Sequence, residues 1–133
     1  MSAERATYVD SSALVKLAVE EPESAGLLRY LRRRRPLVSS SLSRTEVARA
    51  LLPLGETAAR RGHEVLARVE LIEVSDRALA SAGALRHPWL RSTTAIHLAT
   101  AQRLGTDLAG IVTYDERLAA AASAMGWSVA TPA

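Results

Sequence analysis

Cysteine is absent from the chain, and Lys16 is its only lysine. The first absence excludes a disulfide framework and any zinc site built on thiolates, so the fold must hold by burial alone, and a reducing cytosol is its simplest home. The second leaves the basic balance to arginine, with a formal charge of +3 and a sequence pI of about 9.9. Guanidinium groups fork onto phosphate or carboxylate, so this bias suits a polyanion and an acidic peptide equally. Also missing is any long apolar run, and Met1-Ser2-Ala3-Glu4-Arg5 is not followed by the apolar core of a secretory leader; no membrane span is expected. No repeat, linker or low-complexity stretch divides the chain. Its 133 residues fit one domain, large enough to bury most of the surface that the unfolded chain exposes.

What is present is an alternation of short apolar runs with stretches of helical spacing. Thr7 to Val9 reads as a strand, and Ser11 to Val19 as a helix with Leu14, Val15, Leu17 and Ala18 on one buried stripe. A second helix is expected from Glu23 to Arg35, with Leu27, Leu28 and Leu31 inward and Arg29, Arg32, Arg33, Arg34 and Arg35 largely solvated. Pro36 to Ser39 gives the second strand. Ser41 or Ser43 then opens a helix to Leu54, whose core face is Val47, Ala50, Leu51 and Leu54. A helix from Glu56 to Val69, a strand from Leu71 to Val74 and a helix from Ser75 or Asp76 to Leu85 follow. Pro88 breaks the next stretch into a loop, with His87 at the surface and Trp89 as a packed anchor. Ser92 or Thr93 starts a helix through Leu104, closed by Gly105. Gly110 to Tyr114 is the fourth strand, Asp115 opens the last helix, and Gly126 to Val129 is a final strand with Trp127 against the sheet. Strands alternating with helices throughout imply a parallel sheet covered on both faces.

Three acids stand out within that pattern. Asp10 and Asp115 each follow an apolar strand and precede a helix, which makes both good N-caps. If their strands are neighbours, the two carboxylates converge at the carboxyl edge of the sheet, where folds of this class put their chemistry. Converging carboxylates repel unless one is protonated or a cation intervenes, and an all-oxygen site suits Mg2+ or Mn2+. Glu46 could supply a third. Ser43-Arg44-Thr45-Glu46 also matches a capping box, which would turn that carboxylate back onto the backbone instead. In the late helix, Thr94, His97, Leu98 and Ala101 share a face, and His97 fits a satisfied core histidine better than a ligand.

Tyr8 to Leu17, Ser43 to Val47, Leu90 to Ala101 and Val112 to Leu118, taken together and in order, resemble the four signature stretches of PIN-domain proteins. The likeness is greatest to the VapC-type toxins of bacterial toxin–antitoxin pairs, and it covers essentially the whole chain. It implies a three-layer α/β/α sandwich around a parallel sheet of four or five strands, and Mg2+- or Mn2+-dependent endoribonuclease activity on structured RNA such as tRNA or rRNA. It also implies a VapB-like antitoxin partner and a homodimer. By position, Asp10, Glu46 and Asp115 match the acids that bind metal or orient the attacking water. Ser12 matches a hydroxyl beside the first acid, and Arg117 is placed to meet phosphate or an antitoxin carboxylate.

Two positions depart from the pattern of that resemblance: Thr94 stands where the family carries an Asp, and Thr93 where it carries an apolar residue. Losing a carboxylate about 4 Å from a dication forfeits roughly 8 kcal/mol of gross Coulomb attraction at an effective dielectric of about 20, much of it offset by avoided desolvation. One metal held by Asp10 and Asp115 is the expectation that remains. The second reading is a catalytically degenerate PIN-fold binding module that acts through an antitoxin-type partner. A phospho-accepting receiver domain would also place acids at strand ends, but it wants an acidic pair after the first strand and a lysine after a late one; here two serines follow Asp10, and Lys16 lies in the first helix.

Overall fold

The computed structural model describes residues 5–133, so the leader reading of Met1 to Glu4 lies outside the described residues. In chain order the elements are β1 (Ala6–Val9), α1 (Ser11–Ala18), α2 (Ser24–Arg32), β2 (Leu37–Ser40), α3 (Ser43–Leu51), α4 (Glu56–Ala67), β3 (Glu70–Ile72), α5 (Asp76–Gly83), α6 (Ser92–Gln102), β4 (Leu108–Val112), α7 (Glu116–Ala124) and β5 (Val129–Ala130). The five strands form one sheet in the order β3-β2-β1-β4-β5, and every pairing is parallel. Among the described residues no helix is long and apolar enough to cross a membrane.

The period of two along β1 decides which side chains meet which layer. Val9 turns to one face, where Val112, Leu37 and the apolar stripes of α1 to α4 make a core that includes Leu14, Leu27, Leu31, Val47 and Leu51. Tyr8 and Ala6 turn to the other, where they pack with Ile111, Val38, Leu98 of α6 and Leu118 of α7. Helix α5 lies outside α6, joined to it through Ala82, Ala95 and Ala99. Three layers result, as the resemblance implied. Helix α6 is buried almost all round, from Thr94 to Ala101, because the sheet covers one side of it and α5 another.

Several expectations shift on contact with tertiary structure. The second helix stops at Arg32 instead of Arg35, since the residue before Pro36 is steered away from helical geometry and β2 must begin. Pro53 likewise ends α3 at Leu51 in a short 3-10 turn, Leu52–Leu54, which swings Leu54 out to 59% exposure; Ala50 is exposed too. Leu28, expected inward, is 42% exposed because Leu27 and Leu31 already fill the stripe facing the core. Trp89 is no packed anchor: it is 48% exposed, and among the described residues its ring meets that of His87, with centroids 5.5 Å apart. Trp127, by contrast, does pack against the core beneath α7.

Helices α3 and α4 approach most closely at Gly62, where an added Cβ would sit 2.5 Å from a methyl carbon of Leu51 and 3.4 Å from Val47. Gly62→Val is therefore expected to overpack this contact and destabilise the fold by about 1–3 kcal/mol, read as a lower urea midpoint with an unchanged m-value.

Candidate active site

Parallel strands carry the residues that follow them to one edge of the sheet, and β1 lies beside β4 with Val9 level with Val112. Asp10 and Asp115 thus arrive at the same end. Each also caps a helix. Asp10 accepts from the Ala13 N–H at 3.1 Å, and Asp115 accepts from the Arg117 and Leu118 N–H groups at 2.9 and 3.1 Å. Cap and site are one arrangement, not alternatives.

Asp10 is 3% exposed, and among the described residues no lysine or arginine pairs with it. Neutral donors surround it instead. Its Oδ1 accepts the Ser12 hydroxyl at 2.6 Å as well as the Ala13 N–H, and its Oδ2 accepts the Thr113 hydroxyl at 2.6 Å. Burial pushes its carboxyl above the ordinary value in spite of these hydrogen bonds, which favour the charged form. The same two hydroxyls receive backbone donors from the loop after β4: Tyr114 N–H to Ser12 at 2.9 Å and Asp115 N–H to Thr113 at 3.0 Å. Ser12 therefore ties the start of α1 to that loop, with its hydrogen donated to Asp10.

Glu46 is not in a capping box. The residue before α3 is Leu42 in helical geometry, and Ser43 lies inside the helix, fully buried, its hydroxyl 2.8 Å from that of Ser39. With that hydroxyl engaged elsewhere, Glu46 reaches across to α6, where its Oε1 lies 2.5 Å from Nε2 of His97. His97 is 3% exposed, and its Nδ1 lies 2.7 Å from the Tyr8 hydroxyl. It is satisfied and in the core, as its helical face suggested, and it is also a partner of a candidate site residue, which the sequence did not reveal.

The proton on this chain can be located. Burial raises Glu46, but the hydrogen bond and charge of His97 outweigh it and hold the carboxyl below its ordinary value, so it is ionised near neutral pH. Burial, with the nearby Asp10 charge, pushes the Tyr8 hydroxyl well above its ordinary value, so it keeps its hydrogen. An ionised Glu46 requires Nε2 to carry a proton, and the Tyr8 hydroxyl satisfies Nδ1 whether it donates or accepts. Glu46 thereby has one oxygen fixed by His97, and Ser11 adds a second hydrogen bond to its carboxylate.

Thr94 is 7% exposed in the first turn of α6. It lines an open cleft of about 380 Å3 together with Arg91, Asp115, Glu116 and Arg117. Glu116 was not singled out in the sequence; its position directly after Asp115 was the available signal. Asp10 and Glu46 do not line this cleft, and among the described residues no three His, Cys, Asp or Glu side chains are grouped closely enough to enclose a metal ion. Free oxygens remain: among the described residues Asp115 Oδ2 accepts no hydrogen bond and Asp10 Oδ2 accepts only one, while Glu46 Oε1 is taken by His97 and its carboxylate is also hydrogen-bonded by Ser11. Hard oxygen donors from one or two carboxylates, completed by water, are what Mg2+ or Mn2+ takes. The donor set fits a hydrated ion and not a closed protein cage.

Residues 7–124 match the family model described as PIN domain. The chain is 55% identical over 127 residues to Ribonuclease VapC46 of Mycobacterium tuberculosis, covering 96% of this chain and 98% of that protein. Two solved structures share the fold. Mycobacterium tuberculosis VapC20, described as a sarcin-ricin loop cleaving toxin, superposes with a TM-score of 0.73 at 19% identity over 91% of this chain and 95% of its own. A toxin-antitoxin complex from Klebsiella pneumoniae gives a TM-score of 0.72 at 23% identity, covering 96% and 98% of the two chains. The chain belongs to the PIN-domain family, in its VapC-type toxin branch.

The state of Asp10 has a thermodynamic signature. Because burial raises its carboxyl on folding, the folded chain holds more protons than the unfolded one between the ordinary carboxylate value and the raised one, so Asp10 makes stability fall as pH rises through that window. Asp10→Asn is expected to raise Tm at pH 7 and to flatten that decline. Mn2+ at about 100 times its Kd is expected to add about 2.7 kcal/mol to the stability of the native chain and nothing to that of the variant, checked by calorimetry.

Proposed function

We propose that residues 1–133 form a single PIN domain that acts in the cytoplasm as the toxin of a toxin–antitoxin pair, an Mg2+- or Mn2+-dependent endoribonuclease cutting structured RNA, either tRNA or rRNA. The observation that carries this reading is Asp10, a buried carboxylate that no lysine or arginine among the described residues pairs with, at the edge where Asp115 also arrives. The 55% identity to a ribonuclease and the fold shared with an RNA-cleaving toxin support it.

In this reading Asp10 and Asp115 would hold the ion through their Oδ2 atoms, and Glu46 would either join them or orient the attacking water. When bound, the ion supplies charge neutralisation at the phosphodiester and a more acidic water. The other tasks fall to the chain itself. Tyr8 and His97 keep Glu46 in one orientation, so its carboxylate is preset toward the water. Ser12 and Thr113 fix Asp10 and the loop that bears Asp115. Arg117 and Arg91, on the cleft wall, meet the phosphate flanking the scissile bond. Thr94 offers the cleft a hydroxyl and no charge, which favours a single ion.

Partners follow from two apolar surfaces. Leu28, Leu52 and Leu54 stand exposed on the side of the sheet that carries α1 to α4, where they suit the apolar face of a helix from a VapB-like antitoxin; the related Klebsiella pneumoniae structure is a toxin-antitoxin complex. A second groove, lined by Leu79, Leu85, Pro88, Leu90 and Ile96 between α5 and α6, suits a second copy of the chain. Thr94 alone favours the other reading, a degenerate binding module that works only through its antitoxin.

The test is cleavage of total tRNA and rRNA by the antitoxin-free chain with Mn2+, Mg2+ or EDTA. Metal-dependent cutting is expected, lowered more than about 100-fold by Asp10→Asn, a loss of about 3 kcal/mol or more in transition-state stabilisation. Thr94→Asp is expected to raise the rate by restoring a carboxylate. No cutting by the native chain, with cutting gained by Thr94→Asp, would instead establish the binding module. His97→Ala is expected to cost about 10- to 100-fold in activity or metal affinity while the chain stays folded, as is usual when the partner of a metal-site carboxylate is removed. Calorimetric titration with Mn2+ separates that loss from simple destabilisation.

A further inference from the structure

The opposite edge of the sheet, where the strands begin, carries a second and strongly basic cleft. It has a volume of about 380 Å3 and is walled by Arg5, Arg33, Arg34, Arg35 and Tyr30, with Gly110 of β4 on its floor. Topology assembles it. Arg33 to Arg35 link α2 to β2, and Arg5 immediately precedes β1, so parallel strands gather these guanidinium groups at one edge as they gather the acids at the other. Gly110 lets β4 pack closely on the segment before β5: an added Cβ there would lie 3.1 Å from the Ser128 carbonyl oxygen.

Two of the arginines are oriented by the fold. Arg5 donates to the Leu108 carbonyl at 2.7 Å. Arg34 lies over the Tyr30 ring, 3.6 Å from its centroid, and donates to the Tyr30 carbonyl at 2.9 Å. Among the described residues none of the four is in an ion pair, not even with Asp107 and Glu70 at the start of β4 and β3. Four like charges that no described acid pairs with raise the local potential on one short edge and are relieved by an anion.

We propose that this cleft binds the phosphodiester backbone of the substrate RNA at a segment distant from the cleavage site. The proposal rests on the ribonuclease reading given above. Phosphate matches the forked guanidinium donors. The feature that favours RNA over an acidic peptide is Arg34: stacked on Tyr30 and exposed on its outer side, it presents the planar cationic surface on which unpaired bases stack. The two edges are also close enough to share one RNA. The four residues of β1 span about 13 Å, less than the width of a folded RNA. The chain thus grips substrate at the start of its strands and cuts at their end.

Binding of total tRNA, and separately of a polyglutamate peptide, is measured in EDTA by fluorescence anisotropy across a range of salt concentrations. The native chain is compared with R33A/R34A/R35A, R33K/R34K/R35K and D10N, each checked for folding by its circular dichroism melt. The alanine variant is expected to bind tRNA at least about 10-fold more weakly and to lose about 2 from the slope of log affinity against log salt, some 0.7 per arginine. The lysine variant is expected to keep the slope, and D10N, which removes a carboxylate from the other edge, to bind no more weakly than the native chain. Unchanged tRNA affinity and slope in the alanine variant overturn the proposal. Loss of polyglutamate binding alone also overturns it, and assigns the cleft to an acidic peptide. Cleavage with Mn2+ is scored apart: an unchanged KM for tRNA in the alanine variant overturns the cleft, whereas absence of cutting by any chain overturns the reading of the carboxylates and leaves the salt slopes to decide the cleft.

Discussion

A single carboxylate, buried among hydroxyls without a cation, constrains the rest of this fold. Asp10 keeps its place because three donors from three directions hold it: the Ala13 N–H of its own helix, the Ser12 hydroxyl, and Thr113 from the neighbouring strand's exit. Burial opposes the charge those donors favour. A neutral residue would serve stability better here, so the folded state stores an unfavourable interaction that a bound cation would relieve in the proposed reading. The central position of β1 in the sheet then follows, because only a strand flanked on both sides can present its final residue so far from water.

The parallel sheet also gives the molecule a polarity. Asp10 and Asp115 follow β1 and β4 while Arg5 and Arg33 to Arg35 precede β1 and β2, so chain direction sends these acids and these arginines to opposite edges, although Asp107 and Glu70 also stand where β4 and β3 begin. The net charge of +3 hides this separation. A polyanion that approaches is met first by guanidinium groups, and the carboxylates on their own would repel it until a dication intervenes.

Much of this was legible in the sequence. Alternating strand and helix periodicities specified the layers, and Asp10 and Asp115 were identified by their positions after apolar runs. Their convergence depended on β1 lying beside β4, which a local pattern does not encode. Glu46 was harder to read. Ser43 and Glu46 have the spacing of a capping box, but the buried Ser39 hydroxyl, four residues earlier on β2, engages Ser43, and the partner of Glu46 lies 51 residues away on α6. A local motif lost to a tertiary contact. Leu28, Leu54 and Trp89 were misjudged for a related reason: hydrophobicity marks residues that are better off covered, without saying whether this chain or another covers them.

The pairing of β1 with β4 also bears on when the toxin becomes armed. Thr113 is 103 residues beyond Asp10, and the strand it follows is among the last elements of the chain. At about 5–20 residues per second, translation leaves the first acid without its Thr113 partner for roughly 5–20 s. Contacts this distant in sequence also form late in folding, after the loop-closure cost has been met. The helices α1 to α4 can gather around β1 and β2 well before that. The exposed leucines on their side are therefore presented while the candidate site is still incomplete.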